Sequence, residues 1–211
     1  MGTAVENEFK YTSDHDIDAG LLVERLEVFL KDSSVPFKKK MKRSKDLYFD
    51  SADMELFNSE RMLRMKTSEN GKIKLTVKRP ISNEFGMMSR EEIEAASDGS
   101  MDDIVRFAGK HLPGIQIENE SKLAIECERT AFDYLDGSGI KLSFDRCIYV
   151  HGDTSKTFYE IELESMNEST ERDFDEIGMC GFIEEMLGFE PVTKSKYQRG
   201  IEWIRASDIS E

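Results

Sequence analysis

The sequence predicts an α+β protein: an eight-stranded antiparallel β-barrel, or a strongly curled sheet, with flanking helices. Three observations carry this. About eight segments of strand length alternate apolar and polar residues, the period at which a strand presents two faces. Glycine-containing turn signals, Asn70-Gly71 and Asp136-Gly137-Ser138-Gly139, join consecutive segments as hairpins. Charge recurs on one face of many segments: Glu6, Glu8 and Lys10; Arg64 and Lys66; Lys74 and Lys78; Arg90, Glu92 and Glu94; Glu160, Glu162 and Glu164. These rows are too rich in both signs to be merely solvated, so they are placed inside the sheet, with helices over part of an apolar outside.

The first strand covers 5–11, with Val5, Phe9 and Tyr11 opposite the Glu6, Glu8 and Lys10 face. Asp18 caps a helix to about Lys31, on which Leu21, Leu22, Leu26, Phe29 and Leu30 form an apolar stripe. The basic run from Lys38 to Arg43 reads as a solvated strand or loop rather than a polyanion patch. Residues 46–50 form a short strand and 52–59 a helical turn. Strands 62–67, 72–79 and 89–94 follow; Pro80 ends the second, and Gly86 lies in the link to the third. Residues 101–111 are helical. Segment 122–134 pairs with 140–150, and 157–164 is the next strand. Two helices follow, an amphipathic one over 170–187 and another over 195–205.

The 211 residues suffice for one domain with a full core, and no repeat, low-complexity segment or linker divides them. Hydrophobic residues at 38% in periodic runs describe a folded chain although 34% of it is charged. The net charge of −14 argues against a duplex-coating nucleic-acid protein, which needs a basic face. It leaves room for an anionic substrate drawn by a local field. Cys127, Cys147 and Cys180 are odd in number and form no CxxC pair, so their spacing supplies neither a disulfide framework nor a zinc site. No run approaches a membrane span, and neither a signal-peptide core nor a myristoylation signal opens the sequence, so a cytoplasmic protein is expected.

Hard divalent cations prefer carboxylate oxygens. One Glu-x-Glu is an ordinary solvated strand face. Two such pairs, Glu6 with Glu8 and Glu162 with Glu164, together with Asp145 and the similarly spaced Glu92 and Glu94, point instead to convergence on one or two ions. The basic set is Lys10, Arg64, Lys66, Lys74, Lys78, Arg90, Arg129, Lys194 and Lys196, groups that suit phosphate oxygens and also balance the carboxylates. Arg129 shares its strand face with Ile125 and Cys127, so without a bulge it is expected to point outward. His15, His111 and His151 are scattered, and no nucleophile–base spacing, P-loop or GxGxxG motif is present.

Glu6-x-Glu8-x-Lys10 resembles the ExExK signature of the CYTH, or triphosphate tunnel metalloenzyme, superfamily. The resemblance continues in order along the chain. Tyr48-Phe49-Asp50 is similar to the "YYD" strand, Leu63-Arg64-Met65-Lys66 to "LRxR", and Leu75-Thr76-Val77-Lys78 to "LTxK". Arg90 to Glu94 is similar to RxExE, Ser143-Phe144-Asp145 to the metal-site aspartate strand, Glu160 to Glu164 to ExExE, and Lys194-Ser195-Lys196-Tyr197 to "KSK". Lys66 departs from the pattern where arginine is common. The resemblance implies a barrel with a charged through-tunnel and a small-molecule substrate bearing a linear triphosphate. It implies Mg2+ or Mn2+ at Glu6, Glu8, Asp145, Glu162 and Glu164. Lys10, Arg64, Lys66, Lys78, Arg90, Arg129 and Lys196 would grip phosphate, with Lys194 beside them, while Glu92 and Glu94 orient the bases or serve a second cation. Glu6, Glu8, Lys10, Glu92 and Glu94 are the expected catalytic set.

Metal-dependent triphosphate hydrolysis is the leading expectation. A cyclase making cyclic AMP and pyrophosphate uses the same tunnel with the substrate's own hydroxyl as nucleophile, and an RNA 5′-triphosphatase is a weaker variant. A non-catalytic polyphosphate or nucleotide binder needs no such acidic set. Oligomeric state stays open.

Overall fold

The computed structural model describes residues 2–84, 87–165 and 177–208. Its elements are β1 (Gly2–Ser13), α1 (Ala19–Asp32), β2 (Phe37–Phe49), α2 (Glu55–Asn58), β3 (Met62–Ser68), β4 (Ile73–Glu84), β5 (Met87–Ser97) and α3 (Met101–His111). Then come β6 (Leu123–Tyr134), β7 (Ile140–His151) and β8 (Thr154–Ser165), a short α-turn (Met179–Gly181) running into a π-turn (Phe182–Met186), β9 (Glu190–Pro191) and α4 (Lys196–Asp208). The strands run in the order β5-β4-β3-β2-β6-β7-β8-β1, and β1 pairs again with β5, which closes an eight-stranded antiparallel barrel. The two-residue β9 adds to β1 beyond the reach of β5, at Tyr11 and Thr12.

Register aligns the charged rows. Glu8 faces Glu164 and Lys10 faces Glu162 across β1–β8, while Glu6 faces Arg90 across β1–β5. Lys78 faces Glu92, Arg64 faces Thr76, and Arg129 faces Asp145. With a side-chain period of two, each pairing puts both members on the same side of the wall. The alternate residues form the outside. On one flank Leu22, Leu26 and Leu30 of α1 pack on Phe9, Tyr11, Leu142, Phe144, Ile161 and Leu163. On the other, Ile104, Phe107 and Ala108 of α3 cover Leu63, Leu75, Val77 and Ile93. Both helices start where a side chain accepts a free backbone N–H: Asp18 from Leu21, and Ser100 from Asp103.

The interior is not ionic from end to end. Leu123, Ile125, Cys127, Cys147 and Tyr149 also face inward, and α4 packs Tyr197, Ile201 and Ile204 against them and against Tyr48 and Met62. This apolar stopper fills part of the barrel interior, and the charged residues line the rest. It corrects the expectation for Arg129. Its face, shared with Ile125 and Cys127, is the inward face, and no bulge is needed to bring it inside.

Other boundaries moved for local reasons. The strand expected over 46–50 begins at Phe37, because the lysine-rich run pairs with β6 from Phe37↔Tyr134 to Tyr48↔Leu123. Pro80 does not end β4: the register shifts between Pro80 and Ser82, and the strand resumes to Glu84. Of the helix expected over 170–187, residues 170–176 lie outside the described residues, and the rest is the α-turn and π-turn.

Candidate active site

The charged part of the barrel interior encloses a cavity of about 730 Å3. Eleven lysines and arginines line it against seven glutamates, so its wall is basic in a chain of net charge −14. The mouth is formed by Met41, Lys42, Arg43, Ser44, Ser68, Glu69, Asn70 and Lys74; the floor by Tyr48, Met62, Ser195 and Lys196. Tyr48 is the one aromatic residue among the described lining.

Carboxylates gather in two groups. Glu6 and Glu8 of β1 and Glu164 of β8 bring one oxygen each within 4.8 Å of one another, all buried. Burial pushes the Glu164 carboxyl up from its ordinary range, and the Arg129 guanidinium offsets only part of that. Asp145, Glu160 and Glu162 form the second group. There the cations win. Burial opposes ionisation of Asp145, but Arg129 and Lys196 hold it down at about 2. Lys196, Arg129 and Lys10 likewise keep Glu162 well below its usual range against burial.

The bonds explain the difference. Arg129 donates from Nε to Asp145 Oδ1 at 2.7 Å and from Nη2 to Oδ2 at 2.6 Å, and it also bonds Glu162 and reaches Glu164 Oε1 at 3.2 Å. Lys196 Nζ lies 2.9 Å from Asp145 Oδ2, 2.8 Å from Glu160 Oε2 and 2.7 Å from Glu162 Oε1. Asp145 and Glu160 are fully buried and lie behind the cavity wall. The first group is looser. Lys78 bonds Glu6 and approaches Glu92 Oε1 at 3.5 Å, Lys10 reaches Glu8 Oε1 at 3.1 Å, and Arg90 reaches the same oxygen at 3.3 Å.

The basic side differs in commitment. Lys66 lines the cavity with no carboxylate within ion-pair distance among the described residues; burial, and then Arg64, lower its pKa. Among the described residues Arg64 makes only long contacts, 3.4 Å to Asp46 Oδ2, 3.4 Å to Thr76 Oγ1 and 3.8 Å to Glu92 Oε1, and its Nε has no partner. Both have donor capacity to spare for an anion. Lys74 pairs with Glu94 at 2.6 Å at the mouth. Lys194 is not brought in: it is half exposed, outside the lining, and pairs with Glu202 of α4 at 2.8 Å.

Several supporting residues had no role assigned from the sequence. Glu160 shares the parity of Glu162 and Glu164, and Arg199 lies one turn beyond Lys196 on α4; the two pair, and Arg199 Nη2 also meets the Tyr149 hydroxyl at 3.2 Å. Asp50 accepts from the backbone N–H groups of Ser51, Leu56 and Phe57 and from the Tyr197 hydroxyl at 2.7 Å. It thereby fixes α2 and ties the stopper helix to the wall. At the start of α4, Ser195 and Gln198 cap each other reciprocally, Gln198 N to Ser195 Oγ at 3.1 Å and Ser195 N to Gln198 Oε1 at 2.8 Å. Lys196 is therefore aimed by a capped, anchored helix.

The family model of the CYTH domain matches residues 15–200. The chain belongs to the CYTH family. The match begins after Glu6, Glu8 and Lys10, which the β1–β5 and β1–β8 registers place in the same barrel wall. A candidate adenylyl cyclase from Hippeastrum, described as revealing a dominant triphosphatase activity, shares 23% identity and superposes with a TM-score of 0.59 over 91% of this chain and 93% of its own. A candidate adenylate cyclase from Bacillus halodurans is 17% identical, with a TM-score of 0.58 over 94% and 98%. The PH1819 protein from Pyrococcus horikoshii is 17% identical, with a TM-score of 0.52 over 90% and 95%. At these identities the likeness shows the fold. No curated protein matches by sequence. No helix among the described residues is long and apolar enough to cross a membrane.

Proposed function

We propose that this CYTH protein hydrolyses a small-molecule triphosphate with Mg2+ or Mn2+ as cofactor. The observation that carries it is the buried trio Glu6, Glu8 and Glu164 facing the underused cations Lys66 and Arg64 across one cavity. The trio fits a hard cation: its donors are all oxygen, and burial raises the Glu164 carboxyl although both Arg129 and Lys141 pair with it. A bound ion would neutralise phosphate charge and orient an attacking water. Lys66, Arg64, Lys78 and Arg90 bind phosphate oxygens, and Glu92 orients Lys78 and Arg64, 3.5 Å and 3.8 Å away. Asp145 and Glu162, also expected among the metal ligands, pair with Arg129 and Lys196 and group with Glu160, with Glu162 at the cavity wall beside the trio. In a loose phosphoryl-transfer transition state such positioning and charge stabilisation supply most of the catalysis.

The described mouth offers no aromatic platform for a nucleobase, which favours hydrolysis over cyclisation. The description of the Hippeastrum protein points the same way. The test is product release from inorganic triphosphate, thiamine triphosphate and ATP with Mg2+ or Mn2+. Orthophosphate that disappears with EDTA, and a Glu162→Gln rate at least ~100-fold lower, is the expected result. Cyclic AMP and pyrophosphate from ATP would move the protein to the cyclases. Tight binding with no product would make it a binder.

A further inference from the structure

Cys127 and Cys147, twenty positions apart in sequence, stand directly opposite each other in the β6–β7 register, both buried on the inward face. Their sulfurs are 3.7 Å apart. A carboxylate oxygen of Asp145 lies within 4.8 Å of both. We propose that Cys127, Cys147 and Asp145 form a binding site for a soft divalent cation of the zinc class, separate from the glutamate trio.

Two thiolates bound to one tetrahedral zinc at about 2.3 Å lie about 3.8 Å from each other, which is the spacing found here before any ion enters. A disulfide needs about 2.05 Å, a much larger displacement of two packed side chains. Donor chemistry separates the two sites: sulfur selects soft ions, whereas the all-oxygen trio suits magnesium and manganese. Cys127 forms part of the wall of a recess of about 370 Å3 beside Ser44, Glu128 and Arg146. Binding releases one proton from each thiol and changes no oxidation state. It also draws Asp145 from Arg129 and Lys196, the two cations that brace Glu162, so occupancy reaches the cavity wall.

The site is read without substrate, so its failure is distinct from failure of the hydrolase reading. Cd2+ is titrated into the full chain as a spectroscopic stand-in for zinc, and the thiolate-to-cadmium absorption is followed in the ultraviolet. The expected band saturates at one ion per chain and is displaced by Zn2+. Cys127→Ala and Cys147→Ala each halve it and weaken binding at least about ten-fold, the lower bound for outer partners alone. Asp145→Asn weakens binding but keeps the band, and Cys180→Ala changes neither. No band, a band that follows Cys180, or one indifferent to Cys127 and Cys147 overturns the proposal. If the cysteine variants do not fold, alkylation of the wild type decides: Zn2+ protects Cys127 and Cys147 if the site exists, and equal labelling with and without Zn2+ overturns it.

Discussion

Replacing Tyr197 by Phe removes one oxygen from the stopper helix and leaves its packing intact. The lost bond is the 2.7 Å donation to Asp50 Oδ2, buried and charge-assisted. Such a bond contributes about 1.5–3 kcal/mol. Asp50 keeps its three backbone donors, with Phe57 N still 2.9 Å from the same oxygen, so the lower part of that range applies. At about 2–3 kcal/mol per molar urea, a reasonable slope for a chain of this size, the midpoint falls by about 0.5–1 M. Trp203, the one tryptophan in the sequence, lies on α4 and packs against the stopper cluster, so its fluorescence reports the helix directly. The next residue back is Lys196, so KM for triphosphate should rise in parallel. A midpoint within about 0.2 M of wild type, or Asp50→Ala no less stable than Tyr197→Phe, would refute the anchoring argument.

Tyr134→Phe should be neutral or slightly stabilising in the same assay, because the buried Tyr134 hydroxyl has no hydrogen-bond partner among the described residues; a loss above about 1 kcal/mol would mean a bond is made there. Lys66→Met should leave stability unchanged or raise it, since burial already disfavours the ammonium, while raising the triphosphate KM at least about ten-fold; unchanged KM would remove Lys66 from the site. Asp145 is depressed from 3.8 to about 2 in the folded protein, so its contribution is full above about pH 4 and is lost as pH falls through about 2. That is worth about 2 kcal/mol, so the stability–pH curve of Asp145→Asn should be flatter over that window; parallel curves would contradict it.

What the sequence reveals here is periodicity. Wherever charge alternated with large apolar residues, as at Glu6 to Tyr11 or Glu160 to Glu164, both the strand and its inward face were legible. Asp18 and residues 101–111 were legible because a capping side chain and a helical stripe are local signals. The β6 face was not. Ile125 and Cys127 look like an outer face until α4, far along the chain, supplies the apolar surface they bury. The lysines of β2 hid their strand because solvated residues on a paired ribbon look like those of a loop. The site divides in the same way. Parity placed Glu6, Glu8, Glu162 and Glu164 on one wall, but only the fold shows that Arg129 and Lys196 occupy Asp145, or that Lys194 turns to Glu202.

Barrel closure also sets an order of events during synthesis. β1 is made before either neighbour: it waits for β5 to reach Glu6↔Arg90, and for β8 to reach Lys10↔Glu162. Until then Glu6, Glu8 and Lys10 sit on a strand with two open edges, while the β2–β3–β4–β5 and β6–β7–β8 hairpins can assemble from short-range pairings. The register therefore predicts that the cavity is completed late in folding. The longest loop closure is completed in the same step that brings the carboxylate trio together, which predicts slow refolding and a nascent chain that needs its first strand kept from foreign partners.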